Sequence, residues 1–211
     1  LGIVGARGVG KTTLVLQYYL ENFSSPEECL YLSADHVLVV GYGLYKVARE
    51  FFALGGKVII FDEIHKYPFW SQELKNIYDS FPDKKIVFTG SSSLHILKEK
   101  ADLSRRTILY ELPGFSFREF IFLVEEKNFG PFSLEEILQK HVRIASEIAS
   151  QLLVRKLFKE YLKYGYYPFF VEGISDYENK LLNAIEKIFY EDIPAVWKIK
   201  PGNIPILKKF L

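Results

Sequence analysis

A chain of 211 residues, 49% hydrophobic and with a formal net charge of +1, can bury one core of ordinary size and a small appended domain. Its charge leaves no basic footprint for nucleic acid across the whole chain. No apolar run reaches the roughly 18 residues that a membrane-spanning helix needs, so no membrane partner is expected. The single cysteine, Cys29, leaves no disulfide framework, which makes a reducing, cytoplasmic compartment the simplest reading.

The first element is the apolar run Leu1 to Val4, which reads as the end of a buried strand. With no methionine anywhere and only half of that strand, the chain reads as a fragment, or as a sequence lacking modified residues. Gly5-Ala6-Arg7-Gly8-Val9-Gly10-Lys11-Thr12 follows and fits the phosphate-loop pattern G-x-x-x-x-G-K-[ST] at every fixed position. Thr13 to Phe23 then reads as a helix. A strand, a glycine loop and a helix start in this order form an anion site, because the glycines let successive N–H groups turn inward. The expected nucleotide contacts are Gly5, Arg7, Gly8, Val9, Gly10, Lys11, Thr12 and Thr13. Lys11 would reach the β- and γ-phosphates, and the Thr12 hydroxyl would hold Mg²⁺.

Cys29 to Ser33 is a second strand, Tyr42 to Leu54 a helix stopped by Gly55-Gly56, and Val58 to Phe61 a fully apolar strand. That strand ends in Asp62-Glu63. Asp62 at its tip is expected to order the Mg²⁺ shell, and Glu63, one residue on, to polarise a water for attack on the γ-phosphate. A hydrolytic base speaks against a small-molecule kinase, which must keep water out. Pro68 precedes a helix over 69–81, and Ile86 to Phe88 is another strand. Beyond it, Thr89 or one of Ser91, Ser92 and Ser93 would touch the γ-phosphate or cap a helix from Leu94. Arg105 and Arg106 lie before the strand Ile108 to Leu112, where an arginine could stabilise a neighbour's transition state or simply pair with nearby acids. Continuous apolar strands between helices predict an α/β fold with a parallel sheet covered on both faces.

After Pro113 the pattern is helical. Ser116-Phe117-Arg118-Glu119, Ser133-Leu134-Glu135-Glu136 and Ser175-Asp176-Tyr177-Glu178 read as capping boxes, and Ile137 to Tyr164 as two helices. The predicted organisation is a nucleotide core over 1–113, a helical lid over 114–202, and the start of a further C-terminal domain over 203–211. The four histidines have no partners at metal-ligand spacing, although His65 follows the acidic pair closely. Lys198, Lys200, Lys208 and Lys209 make a modest basic tail.

Together these residues resemble a family. The phosphate loop, Asp62 to Lys66 with Trp70, Phe88 to Ser93, Leu103 to Arg106, Phe115 to Phe120, Tyr164 to Pro168 and Tyr190 to Ile193 are similar to the predicted ATPases of the AAA+/STAND type that are abundant in archaea. The resemblance implies a P-loop sheet of order 5-1-4-3-2 with a C-terminal helical lid. It implies ATP and Mg²⁺ as cofactors, Thr89 or the serines after it as sensor, and Arg106 as the arginine supplied to a neighbour. Catalysis would then rest on Lys11, Glu63, Thr89 and Arg106, with Thr12 and Asp62 holding the metal. Hydrolysis would change the orientation of lid and core and act on a partner. The alternative is a slow-turnover regulatory switch in a DNA-associated or defence-type protein. The partners so implied are ATP and ADP, a second copy or another protein, and DNA through a winged-helix or nuclease-like domain beyond Leu211.

Overall fold

The computed structural model describes residues 1–90, 106–194 and 201–209. Two compact units divide the chain: 1–113 together with 180–211, and 114–179. The first holds a five-stranded sheet of β1 (Gly2–Val4), β2 (Cys29–Ser33), β3 (Val58–Asp62), β4 (Lys85–Gly90) and β5 (Leu109–Glu111). All pairings are parallel and the order is β2-β3-β4-β1-β5, which read from the far edge is the order 5-1-4-3-2 expected of a P-loop fold.

The apolar runs become strands because both of their faces are covered, so alternation has no value to them. In β3 every residue is buried, and the pleat deals its side chains to two cores. Ile59 and Phe61 join Phe52, Ile64, Trp70, Ile77 and Phe88 on one side. Val58 and Ile60 join Val15 and Cys29 on the other, backed by Tyr19, Phe23 and Tyr31. The covering helices are α1 (Lys11–Asn22), α2 (Val37–Tyr42), α3 (Leu44–Ala53) and α4 (Trp70–Ser80). Parallel strands send their carboxyl ends to one edge, so the loops after β1, β3 and β4 meet there.

Two sequence readings need correction. The helix expected over Tyr42 to Leu54 is instead α3, separated from a preceding α2 by Gly43, whose φ of 97° ends one helix and starts the other at a new angle. The helix expected after Ser175 starts at Tyr177, whose N–H donates to Ile174 O in a tight turn, and runs to Lys187. The helix anticipated from Leu94 lies outside the described residues.

In the second unit, the helices Phe117–Glu125 and Leu134–Gln151 begin with complete capping boxes at Ser116/Glu119 and Ser133/Glu136, as their sequences anticipate. The helix Val154–Glu160 runs on into a π-helical turn, Tyr161–Gly165. Phe120 packs against Tyr161, Tyr164 and Phe170 with ring centroids 5.2–6.0 Å apart, and this aromatic cluster forms the unit's core. No helix among the described residues is long and apolar enough to cross a membrane.

Candidate nucleotide site

The phosphate loop is shaped by contacts that only glycine tolerates. A Cβ at Gly5 would lie 2.3 Å from Leu112 O, because β5 runs on against β1 through the Leu112 N–H to Val4 O bond of 2.7 Å. Gly8 and Gly10 have φ of 89° and 96°, in the region that side-chain-bearing residues avoid. Val9 is buried beneath the loop and anchors its tip. Lys11 opens α1, and its ammonium turns back into the loop to donate to Gly5 O (3.0 Å) and Ala6 O (2.8 Å). Burial pushes its pKa down, against the pull of Glu63 and Asp62. Thr12 and Thr13 lie exposed on the first turn of the same helix.

Asp62 is the hub of the site. One carboxylate oxygen accepts from Thr12 Oγ1 (2.8 Å) and from the Tyr31 hydroxyl (2.7 Å). The other accepts from Thr89 Oγ1, which itself accepts the Glu63 N–H (3.1 Å). The phosphate loop, β2, β3 and β4 are thereby tied to one buried carboxylate. Tyr31 is the member that sequence reading missed. Burial, reinforced by its bond to Asp62, pushes its phenol pKa up and keeps it a donor. The bonds from its N–H to Thr89 and to Asp62 Oδ1 (3.2 Å) hold Glu63 at φ 53°, a left-handed backbone. That conformation costs a glutamate about 1–2 kcal/mol, and strain of this kind gathers where a side chain must be aimed.

The Glu63 carboxylate lies 3.2 Å from Lys66 Nζ, which also meets Asp35 at 2.8 Å, and 3.9 Å from His65 Nε2. The His65 side chain is only 7% exposed. Desolvation lowers its pKa below the ordinary 6.5, with Lys66 and Arg7 acting in the same sense and Glu63 and Asp192 opposing. Between that lowered value and 6.5 the unfolded chain binds the extra proton, so stability falls as pH drops through this window. Urea midpoints measured across it should decline in the wild type and decline less in His65→Gln. Parallel curves would place the acid sensitivity in other groups.

Comparison with known proteins decides the family. Residues 1–121 match the family model described as "AAA domain". The chain belongs to the AAA domain family. An uncharacterised protein of Methanocaldococcus jannaschii is 30% identical over an alignment 208 positions long that covers 92% of this chain and 43% of that protein, so the chain spans less than half of this relative's length. Among solved structures, the Aeropyrum pernix ORC1 protein in complex with DNA has a TM-score of 0.40 at 21% identity, over 62% of this chain and 44% of its own. The Walker-type ATPase PABY2304 of Pyrococcus abyssi has a TM-score of 0.43 at 13% identity, over 99% and 70%. Membership brings an ATPase-like, nucleotide-binding P-loop fold.

Two arginines of this AAA domain are already engaged, Arg7 of the phosphate loop and Arg106 on the surface. Arg7 Nη2 donates to Glu191 (2.9 Å) and Asp192 (3.0 Å), acids at the end of the π-helical turn Ile188–Asp192. Burial disfavours its charge, and the Asp192 hydrogen bond with the charges of Asp192, Glu191 and Glu63 outweighs it. Arg106 stands apart from the Asp62 hub's hydrogen bonds. Its guanidinium pairs with Asp79 of α4 at 2.7 and 3.2 Å, the surface pairing that was the plainer of its two readings. Ser91, Ser92, Ser93 and Arg105 lie outside the described residues, as do Lys198 and Lys200 of the basic tail. Lys208 of that tail pairs with Glu186 and sits 4.6 Å from the centre of the Tyr190 ring.

Proposed function

We propose that this AAA domain binds ATP with Mg²⁺ and hydrolyses it. The observation that carries the reading is the Asp62 carboxylate, bonded to Thr12 of the phosphate loop and to Thr89 of β4 beside a buried loop lysine. Inward N–H groups of Gly5 to Thr13, with Gly8, Val9 and Gly10 shaping the curve, would take the phosphates. Lys11 would leave the Gly5 and Ala6 carbonyls for phosphate oxygens. A hydroxyl and a carboxylate 2.8 Å apart are the hard oxygen donors that Mg²⁺ prefers, and few protein ligands suffice for it, so Thr12 and Asp62 fit. When bound, the ion would neutralise charge on the β- and γ-phosphate oxygens.

Glu63 would accept the proton of the attacking water on its carboxylate, aimed by the left-handed backbone beneath it. Thr89 would sense the γ-phosphate, since its hydroxyl already links Asp62 to the Glu63 backbone. Arg106 is proposed as the arginine offered to a second copy once Asp79 releases it. The helical unit 114–179 is proposed as the lid through which turnover acts on a partner, shorter than the 114–202 read from sequence because 180–211 belong to the nucleotide unit.

A second reading, a slow nucleotide-dependent switch, draws support from the pairing already in place. Lys11 rests on loop carbonyls, Glu63 on Lys66 and Arg7 on two acids, so each group must change partners before turnover. DNA association of such a switch rests on the family resemblance. Steady-state ATP turnover with Mg²⁺ on the full-length protein, over a range of protein concentrations, tests both. A rate per subunit that rises with concentration supports Arg106 acting between copies. Binding with slow, concentration-independent turnover supports the switch, and the absence of ATP binding would refute both.

A further inference from the structure

Arg7 projects from the phosphate loop, between Gly5 and Gly8, towards the far end of the first unit's chain. One nitrogen, Nη2, serves both acids, giving a single bond each to Glu191 and Asp192 rather than a paired fork to either. Its Nε is buried and has no hydrogen-bond partner. The side chains of Arg7 and Asp192 are 16% and 11% exposed, so water can do little for the unused N–H groups. A guanidinium gains most from a planar, bidentate oxyanion, and this one is underused.

The two acids stand beside a loop whose N–H groups would receive a polyanion. Like charges repel, more so for Asp192, which is 11% exposed, than for Glu191, which is 51% exposed and better screened by water. With phosphate in the loop, the carboxylates and the phosphate oxygens compete for one guanidinium, and the more buried Asp192 suffers the larger repulsion. Building on the reading of Gly5 to Thr12 as a phosphate loop, we infer that Arg7 is a nucleotide sensor: it exchanges Glu191 and Asp192 for phosphate oxygens of the bound nucleotide and so unlatches the turn Ile188–Asp192. The empty loop is held by the acids, and the filled loop releases them. Binding at the loop is then felt 184 residues along the chain through one side chain, with no intervening relay.

The inference makes the acids competitors of the nucleotide, not supports for it. In the full-length protein, binding of a non-hydrolysable ATP analogue with Mg²⁺ should tighten about 5–150-fold in the Glu191→Gln, Asp192→Gln double variant, the range of ordinary coupling between two sites. Arg7→Ala should bind more weakly and be indifferent to the same double change. Unmutated protein gives an independent readout: amide hydrogen exchange in residues 188–192 should speed up when the analogue binds, and should not do so in Arg7→Ala. Equal or weaker binding by a folded double variant, or slower exchange in 188–192 on binding, would overturn the inference while leaving the phosphate loop intact. Failure of the wild type to bind any nucleotide would overturn the phosphate-loop reading and this inference with it.

Discussion

Glu63→Gln should bind ATP as tightly as the wild type and turn it over about 10²–10⁴-fold more slowly, the usual worth of a positioned general base. The amide keeps the size of the side chain and leaves the φ of 53° unchanged, because the N–H bonds to Thr89 and Asp62 that hold it are made by the backbone. What it removes is a carboxylate able to take a proton. The lost ion pair with Lys66, its side chains 20% and 34% exposed, is worth about 1 kcal/mol and does not threaten the fold. Single-turnover hydrolysis and equilibrium binding measured on one preparation separate the two effects. Turnover within a few-fold of wild type would assign the base to another group.

Lys11→Ala should abolish nucleotide binding without destabilising the nucleotide-free protein. The lysine is 4% exposed, and burial lowers its pKa, so near neutral pH the fold carries a charge it would rather not hold. Stability tied to this group therefore rises with pH towards its ordinary 10.5, and removing the group relieves the cost at pH 7. Against that stand two charge-assisted hydrogen bonds to Gly5 and Ala6 carbonyls, each worth about 1.5–3 kcal/mol, which the cost of burying the ammonium offsets. The expected melting temperature without ligand is close to wild type or slightly above. With ligand the proteins diverge, since the wild type gains about 2.7 kcal/mol at a hundredfold excess over Kd and the variant gains nothing. Melting curves with and without Mg²⁺–ATP give both numbers. A clear loss of stability without ligand would mean that the loop carbonyls depend on Lys11.

What the sequence disclosed is what short-range rules encode. Gly5 to Thr12 carries its geometry in adjacent residues, and Val58 to Asp62 announces a buried strand by its own run of apolar side chains. The capping boxes at Ser116 and Ser133 are equally local. Gly43 was harder to read, because Val37–Tyr42 is rich in valine with a glycine, poor helix formers that hide α2, and the break before Leu44–Ala53 depends on one positive-φ backbone. Past Ser175 the helix starts at Tyr177, which is 4% exposed and packs against Tyr164 and Phe169, contacts that the sequence does not announce. The Tyr31 bond to Asp62 and the Arg7 bonds to Glu191 and Asp192 join residues 31, 184 and 185 apart, and no local pattern reports such meetings.

The place of β1 in the sheet governs the order in which the protein can be made. β1 is synthesised before any other described strand, yet its two neighbours are β4 and β5, the last strands of the sheet. A ribosome adding roughly 5–20 residues per second takes about 5–20 s to pass from Gly2 to Glu111. Until Gly90 has been added Ile3 and Val4 have no strand to pair with, and until Leu112 has been added Gly5 cannot find the backbone that shapes its loop. The β2–β3 pair, by contrast, can zip as soon as Asp62 emerges. The nascent chain thus holds an unmated apolar strand and an unformed phosphate loop until its sheet is nearly complete. Chaperone dependence during synthesis should therefore concentrate on residues 1–12, and slowing translation after Asp62 should lengthen that exposure.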